Sequence, residues 1–285
     1  MNISAEEQIF LIHRDKRPGR QFLRHLFKAI AMEPPIRDVI WMLLFLLPVP
    51  IRWKALWGAT QMGQYLVGVL AAADQARREG VNAISVIEFG VASGQGLKLL
   101  EKHADAVERA TGVKIAVYGF DTGSGLPTAI GDYRDHPDAW HPGEFEMDVD
   151  SLAATLTSRT KLVLGNVKAT VPQFVTEGKA PPVGFISFDL DFYSSTREAL
   201  NVLLLPGKRT LNRVFLYFDD INNYWSHSWA GERLAIREFN DAHESVKIDR
   251  WFDLDVWRPF AEQQPRLKQM YIAHDLEAIS RSQVR

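Results

Sequence analysis

Cysteine is absent from the 285-residue chain, which removes disulfides, thiolate zinc sites and cysteine nucleophiles together. Surplus positive charge is missing too: 33 Lys and Arg stand against 35 Asp and Glu, a formal net charge of −2. Proteins that track a phosphate backbone carry a basic excess or patch, so nucleic acid is not an expected partner. Long apolar runs are also lacking. The longest uncharged one, residues 39–51, is broken by Pro48 and Pro50 and falls short of the roughly 20 residues a spanning helix needs. A buried helix or an oligomer contact suits it better, and a homodimer is the candidate assembly. The opening Met1-Asn2-Ile3-Ser4-Ala5-Glu6-Glu7 has no basic-then-apolar run, so the expectation is a cytoplasmic protein without a secretory leader. No internal repeat, low-complexity segment or Tyr-x-x-x-Lys pair occurs.

What is there has the balance of a globular enzyme, 46% hydrophobic and 24% charged. Residues 84–89 form an apolar strand ending in Glu88-Phe89, followed by Gly90-Val91-Ala92-Ser93-Gly94-Gln95-Gly96. Leu97, Leu100, Ala104 and Val107 then recur at helical spacing. A strand, a glycine turn and a helix make the first unit of an open α/β sheet, in which backbone N–H groups at the helix start face a ligand. Further strands are predicted at 115–120, 162–164, 183–188 and 214–218, with a late pair at 248–257 and 269–274. Each of the five leading strands ends in Asp, Asn or a glycine turn. The predicted fold is therefore a Rossmann-like doubly wound sheet of about seven strands with helices on both faces. Residues 1–80 read as a helical extension and cap, and 81–285 as the sheet domain. Within the extension, one helix is expected through Phe22, Leu23, Leu26 and Ile30. A second, through Met62, Tyr65, Leu66, Val69, Leu70 and Ala73, would sit near the mouth of the sheet. Ser195-Thr196-Arg197-Glu198 has capping-box spacing. The aperiodic segment 123–150, with Tyr133, His136, Trp140 and His141, reads as an ordered lid.

The spacing Glu88-x-Gly90-x-x-x-Gly94-x-Gly96 resembles motif I of class I S-adenosylmethionine (SAM)-dependent methyltransferases. Tyr118-Gly119-Phe120-Asp121-Thr122-Gly123-Ser124-Gly125-Leu126-Pro127 resembles a signature of the macrocin O-methyltransferase-like family. Three further blocks are similar to that family in the same order: Leu162–Val167, Phe188–Thr196 and Tyr217–Asp220. The resemblance implies a SAM-dependent O-methyltransferase, with magnesium or a similar cation, acting on a hydroxyl of a sugar or natural product. It implies that Glu88, Gly90, Ala92, Ser93, Gly94 and Gly96 cradle the methionine part of SAM. Asp121 would take the ribose hydroxyls, and Gly165 and Asn166 would lie by the adenine. Asp189, Asp219 and Asp220 would hold the cation, with Asp191 as general base. Here the loop after the fifth strand, Ile221-Asn222-Asn223-Tyr224-Trp225, departs from the family pattern.

A cation is also expected from charge alone. If the fourth and fifth strands are neighbours, four carboxylates gather at one edge. At 4 Å and an effective dielectric of about 20, each like-charge pair costs about 4 kcal/mol, and a hard cation relieves it. His227, seven residues beyond Asp220, is a second candidate base, and Tyr193, Tyr224, Trp225 and Trp229 are candidates for an aromatic rim. Two other readings stay open: an NAD(P)-dependent oxidoreductase using the same glycine turn, and a non-catalytic SAM-fold subunit for binding or assembly.

Overall fold

The computed structural model describes residues 33–204, 209–254, 258 and 264–282. The helix expected through Phe22 and Ile30 lies outside them. Seven strands form one mixed sheet: β1 (Ala83–Phe89), β2 (Lys114–Asp121), β3 (Thr160–Leu164), β4 (Val183–Phe188), β5 (Thr210–Phe218), β6 (Val246–Arg250) and β7 (Met270–Asp275), in the order β3-β2-β1-β4-β5-β7-β6. The first five are parallel, and β7 runs antiparallel to both β5 and β6. The late strand at 248–257 proves shorter than its sequence pattern, ending at Arg250 before a turn at 252–254.

The helices are α1 (Ile36–Leu46), α2 (Ile51–Trp57), α3 (Gly63–Glu79), α4 (Gln95–Thr111), α5 (Val149–Ala153), α6 (Val167–Glu177), α7 (Tyr193–Ala199), α8 (Gly231–Ala242) and α9 (Leu276–Arg281). α3 and α4 cover one face of the sheet, in a core with Val86, Val117, Phe185 and Tyr217. α6, α7 and α8 cover the other, against Ile87, Phe120, Ile186 and Leu216. This is the doubly wound arrangement expected from the sequence.

Two expectations about the N-terminal part need correction. α3 does not sit at the mouth of the sheet; it lies along the face, buried from Gln64 to Ala73. Gly68 and a run of alanines make this approach feasible, since a Cβ at Gly68 would stand 2.2 Å from the Phe185 ring. Of the two uses expected for the apolar run 39–51, a buried helix or an oligomer contact, the buried helix does not hold. Ile40, Trp41 and Leu44 of α1 rest on Trp57 and Ala59, while Ile36, Val39, Met42, Leu43 and Leu46 are exposed. A bidentate ion pair between Arg52 and Asp74, at 2.7 and 2.6 Å, ties α2 to α3.

Strand register sets the site. Phe120, Phe89, Phe188 and Phe218 pair in that order across β2, β1, β4 and β5, with ring centroids 4.8, 5.5 and 4.7 Å apart. The next residue on each strand is therefore in one row as well: Asp121, Gly90, Asp189 and Asp219. Strand order reverses between β1 and β4, where an open α/β sheet leaves its binding crevice.

Candidate active site

A cavity of about 270 Å³ opens over that row. Gly90, Ala92, Asp121, Gly165 and Asn166 line one side; Asp189, Asp191, Asp219 and Asp220 line the other. Leu126, Pro127, Trp140 and Phe145 of the lid segment close over it.

The glycine turn is shaped by close approaches. Gly90 has φ +82°, and a Cβ there would fall 1.7 Å from the Asp189 carbonyl oxygen. Gly94 has φ +79° and packs on Leu152 of α5. Asp121 binds the turn itself: the Val91 and Ala92 N–H groups donate to its Oδ2 at 2.8 and 3.0 Å, and the Gly123 N–H donates to Oδ1 at 2.7 Å. Gly165 N–H donates to the Asp121 carbonyl, and the Asn166 side chain caps α6 by accepting from Lys168 N–H at 2.9 Å. Ser93, Gly94 and Gly96 belong to the turn without lining the cavity. Glu88 lies beneath it, out of the cavity, where a Gly96 Cβ would stand 2.2 Å from its Oε1. The Tyr65 hydroxyl donates to that oxygen at 2.7 Å and accepts from Ser187 at 2.8 Å. Burial raises the Glu88 carboxyl to about 8, partly offset by the Tyr65 hydrogen bond.

The acids on the far side divide differently from the sequence expectation. Asp189, Asp191 and Asp220 each offer an oxygen within 4.8 Å of the others. Asp219 is outside this trio, because its Oδ1 accepts from the Tyr217 hydroxyl and from Arg266. Asp191, expected as base rather than ligand, is inside it. Burial, then the charges of Asp219 and Asp220, hold the Asp189 carboxyl well above the ordinary value. Burial, then Asp220, raises Asp191 to about 8. Burial and Asp219 raise Asp220 to about 6, against the lowering effect of Asn223. A buried carboxylate group without a facing cation cannot ionise freely. Asp220 Oδ2 is buried without a hydrogen-bond partner among the described residues.

His227, the other candidate base, is exposed and lines neither this cavity nor its small neighbour. Its ring meets that of His136 edge-on, 5.3 Å between centroids. His136 is the inner member of the pair, 5% exposed. Burial and then His227 lower its pKa.

The segment expected as a lid is tied down at its ends and its middle. Its ends pair through Leu126 N–H to Glu144 O and Gly143 N–H to Leu126 O, both 2.8 Å. Its middle is anchored by Asp135, 0% exposed, which accepts from Ile130 N–H, Ser194 N–H and the Ser194 hydroxyl at 2.8, 2.8 and 2.9 Å. This overturns the capping box at Ser195–Glu198. α7 begins at Tyr193, and a carboxylate 59 residues earlier in the chain serves its first turn. Of the expected aromatic rim, Trp225 joins Trp140 at 5.6 Å. Tyr193 is buried with its hydroxyl on Glu238, and Tyr224 is 96% exposed.

Sequence reasoning named Tyr65 only as a helix residue and His136 only as part of the lid, and it gave no site role to Asp135, Glu232 or Arg266. None sits in a motif, and Glu232 reads as an ordinary acid in the first turn of a helix.

No protein-family model matches the chain, and no curated protein matches it. Among solved structures it is similar to the calicheamicin methyltransferase CalS11, at 23% identity over 73% of this chain and 85% of that one, with a TM-score of 0.46. It is also similar to the O-methyltransferase NovP, at 19% identity over 54% of this chain and 63% of that one, TM-score 0.42. A third is the MycE methyltransferase of the mycinamycin biosynthetic pathway, in complex with Mg and SAH, at 10% identity over 72% and 48%, TM-score 0.39. What the site can do chemically follows from its own atoms.

Proposed function

We propose that the protein is a SAM-dependent, divalent-cation-assisted O-methyltransferase acting on a hydroxyl of a small molecule, of the sugar or natural-product kind. One observation carries this reading. A single cavity at the strand tips is lined on one side by a glycine turn with Asp121, Gly165 and Asn166, and on the other by three converging carboxylates. A nicotinamide oxidoreductase would leave that trio without a role.

The residues fit both groups. Three carboxylates within 4.8 Å, one with an unpartnered buried oxygen, are a donor set for a hard cation. Gly90 and Gly165 present backbone rather than side chain on the cavity wall, which leaves room for a cofactor beside Asp121. When bound, SAM supplies the methyl group and the cation lowers the proton affinity of a hydroxyl beside it.

Gly90 and Ala92 bound the methionine end, and Asp121 keeps one acceptor position for a ribose hydroxyl after serving three backbone donors. Gly165 and Asn166 border the base. Asp189, Asp191 and Asp220 hold the cation; Arg266 and Tyr217 fix Asp219 at its margin. Asp191 offers the trio one oxygen, and its other oxygen would accept the hydroxyl proton. Trp140, Phe145, Leu126 and Pro127 exclude water and hold the acceptor's apolar surface. Alignment of two reactants in one cavity supplies up to about 7–11 kcal/mol of barrier reduction.

Calorimetric titration tests the reading. SAM should bind at one site with or without chelator, and chelator should abolish methylation of hydroxyl acceptors as read by mass spectrometry. NADH binding without SAM binding would overturn the proposal.

A further inference from the structure

Behind the carboxylate trio lies a second, smaller cavity of about 10 Å³, roughly the space of one water. His136, Asp191, Asp220, Ser226, Glu232 and Arg233 are the polar residues of its lining. Glu232 belongs to the first turn of α8 and is 2% exposed. Its Oε2 accepts from the Asp220 N–H at 3.1 Å. Its Oε1 is buried with no partner among the described residues, and so is Asp220 Oδ2. Nearby Arg233 is engaged elsewhere, donating to the Ile221 carbonyl and to Asn222. The leading charge effects on Glu232 come from acids: Asp220, Asp189, Asp219 and Asp191. Gly231, with φ +56°, lets the helix start come up to His136, whose Nε2 would stand 3.1 Å from a Cβ there.

A fully buried acid facing four others is costly to keep unless a cation lies among them. Hydrogen bonding to Asp220 N–H alone does not require a charged side chain, for an amide oxygen would accept it equally well. The charge therefore has another use. We propose that Glu232 is a positioning residue of the cation site, facing it from behind, gripping the Asp220 backbone N–H through its Oε2 and holding a water on its Oε1 in the small cavity. This orients the Asp220 carboxylate toward the ion and adds a fourth negative charge around it. The inference rests on the cation reading of the trio.

Binding of Mn²⁺, followed by the electron paramagnetic resonance of the free ion, tests it without turnover. In Glu232→Gln the affinity for Mn²⁺ should fall about 10–100-fold, the usual effect of removing an outer partner of a metal ligand. SAM affinity should be unchanged, and the chelated variant should melt close to wild type, because the amide oxygen keeps the hydrogen bond from Asp220 N–H. Glu232→Asp, which keeps the charge, should recover part of the affinity and also serves if the Gln variant does not fold. Wild-type affinity in the Gln variant, or an Asp variant that binds Mn²⁺ no better than the Gln variant, overturns the role of Glu232 while leaving the trio intact. A wild-type protein that binds no Mn²⁺ overturns the cation reading and this inference with it.

Discussion

At the scale of single residues, the site is a set of buried acids with few counter-charges. Glu88 is the simplest because it is out of reach of the cavity. Its carboxyl is raised from 4.5 to about 8, chiefly by burial. The folded protein thus holds a proton that the unfolded chain releases. The associated stability is complete below pH 4.5 and is lost as pH rises through about 8. Glu88→Gln keeps an acceptor for the Tyr65 hydroxyl and cannot ionise. In thermal melts with chelator it should flatten the fall in melting temperature across that window. An unchanged slope would show that other carboxyls govern it. Gly94 gives a second prediction. Gly94→Val forces a branched side chain to φ +79° and into Leu152, a strain of about 1–3 kcal/mol. Urea unfolding should register that loss, and calorimetry should register weaker SAM binding in the folded fraction.

Among the elements, the lid shows most clearly how a local pattern can mislead. Ser195–Glu198 has the letters of a capping box, yet α7 starts two residues earlier because Asp135 reaches across to Ser194. Nothing near Asp135 in the chain signals this, since hydrogen bonds spanning 59 residues leave no periodic trace. Asp135→Ala should cost about 1.5–3 kcal/mol for a charged hydrogen-bonding group removed from a buried position. It should also expose the 123–150 segment to limited proteolysis and raise KM for the acceptor more than for SAM. Equal protease resistance in mutant and wild type would mean that the pairing of Leu126 with Gly143 and Glu144 is enough to hold the lid.

Across the whole molecule, four phenylalanines in register carry the row of strand tips that borders the cavity. Phe188 is central, flanked by Phe89 and Phe218, and it is followed by Asp189. Phe188→Ala should destabilise the protein by about 3–5 kcal/mol and weaken cation binding as well, because the tip of β4 loses its support. Denaturant titration and Mn²⁺ binding on the same sample would check both, and a stability loss with unchanged cation affinity would separate core from site. The sequence by itself determined the parallel strands, the glycine turn and the acids at their ends, because strand periodicity and turn chemistry are written in neighbouring residues. Only the tertiary structure decided which acids converge. Asp219 is claimed by Arg266 from 47 residues away, Asp191 turns inward, and Glu232 is buried behind Asp220. Those choices depend on strand order and on which side chain finds a partner, and such contacts between distant segments leave no mark on local sequence.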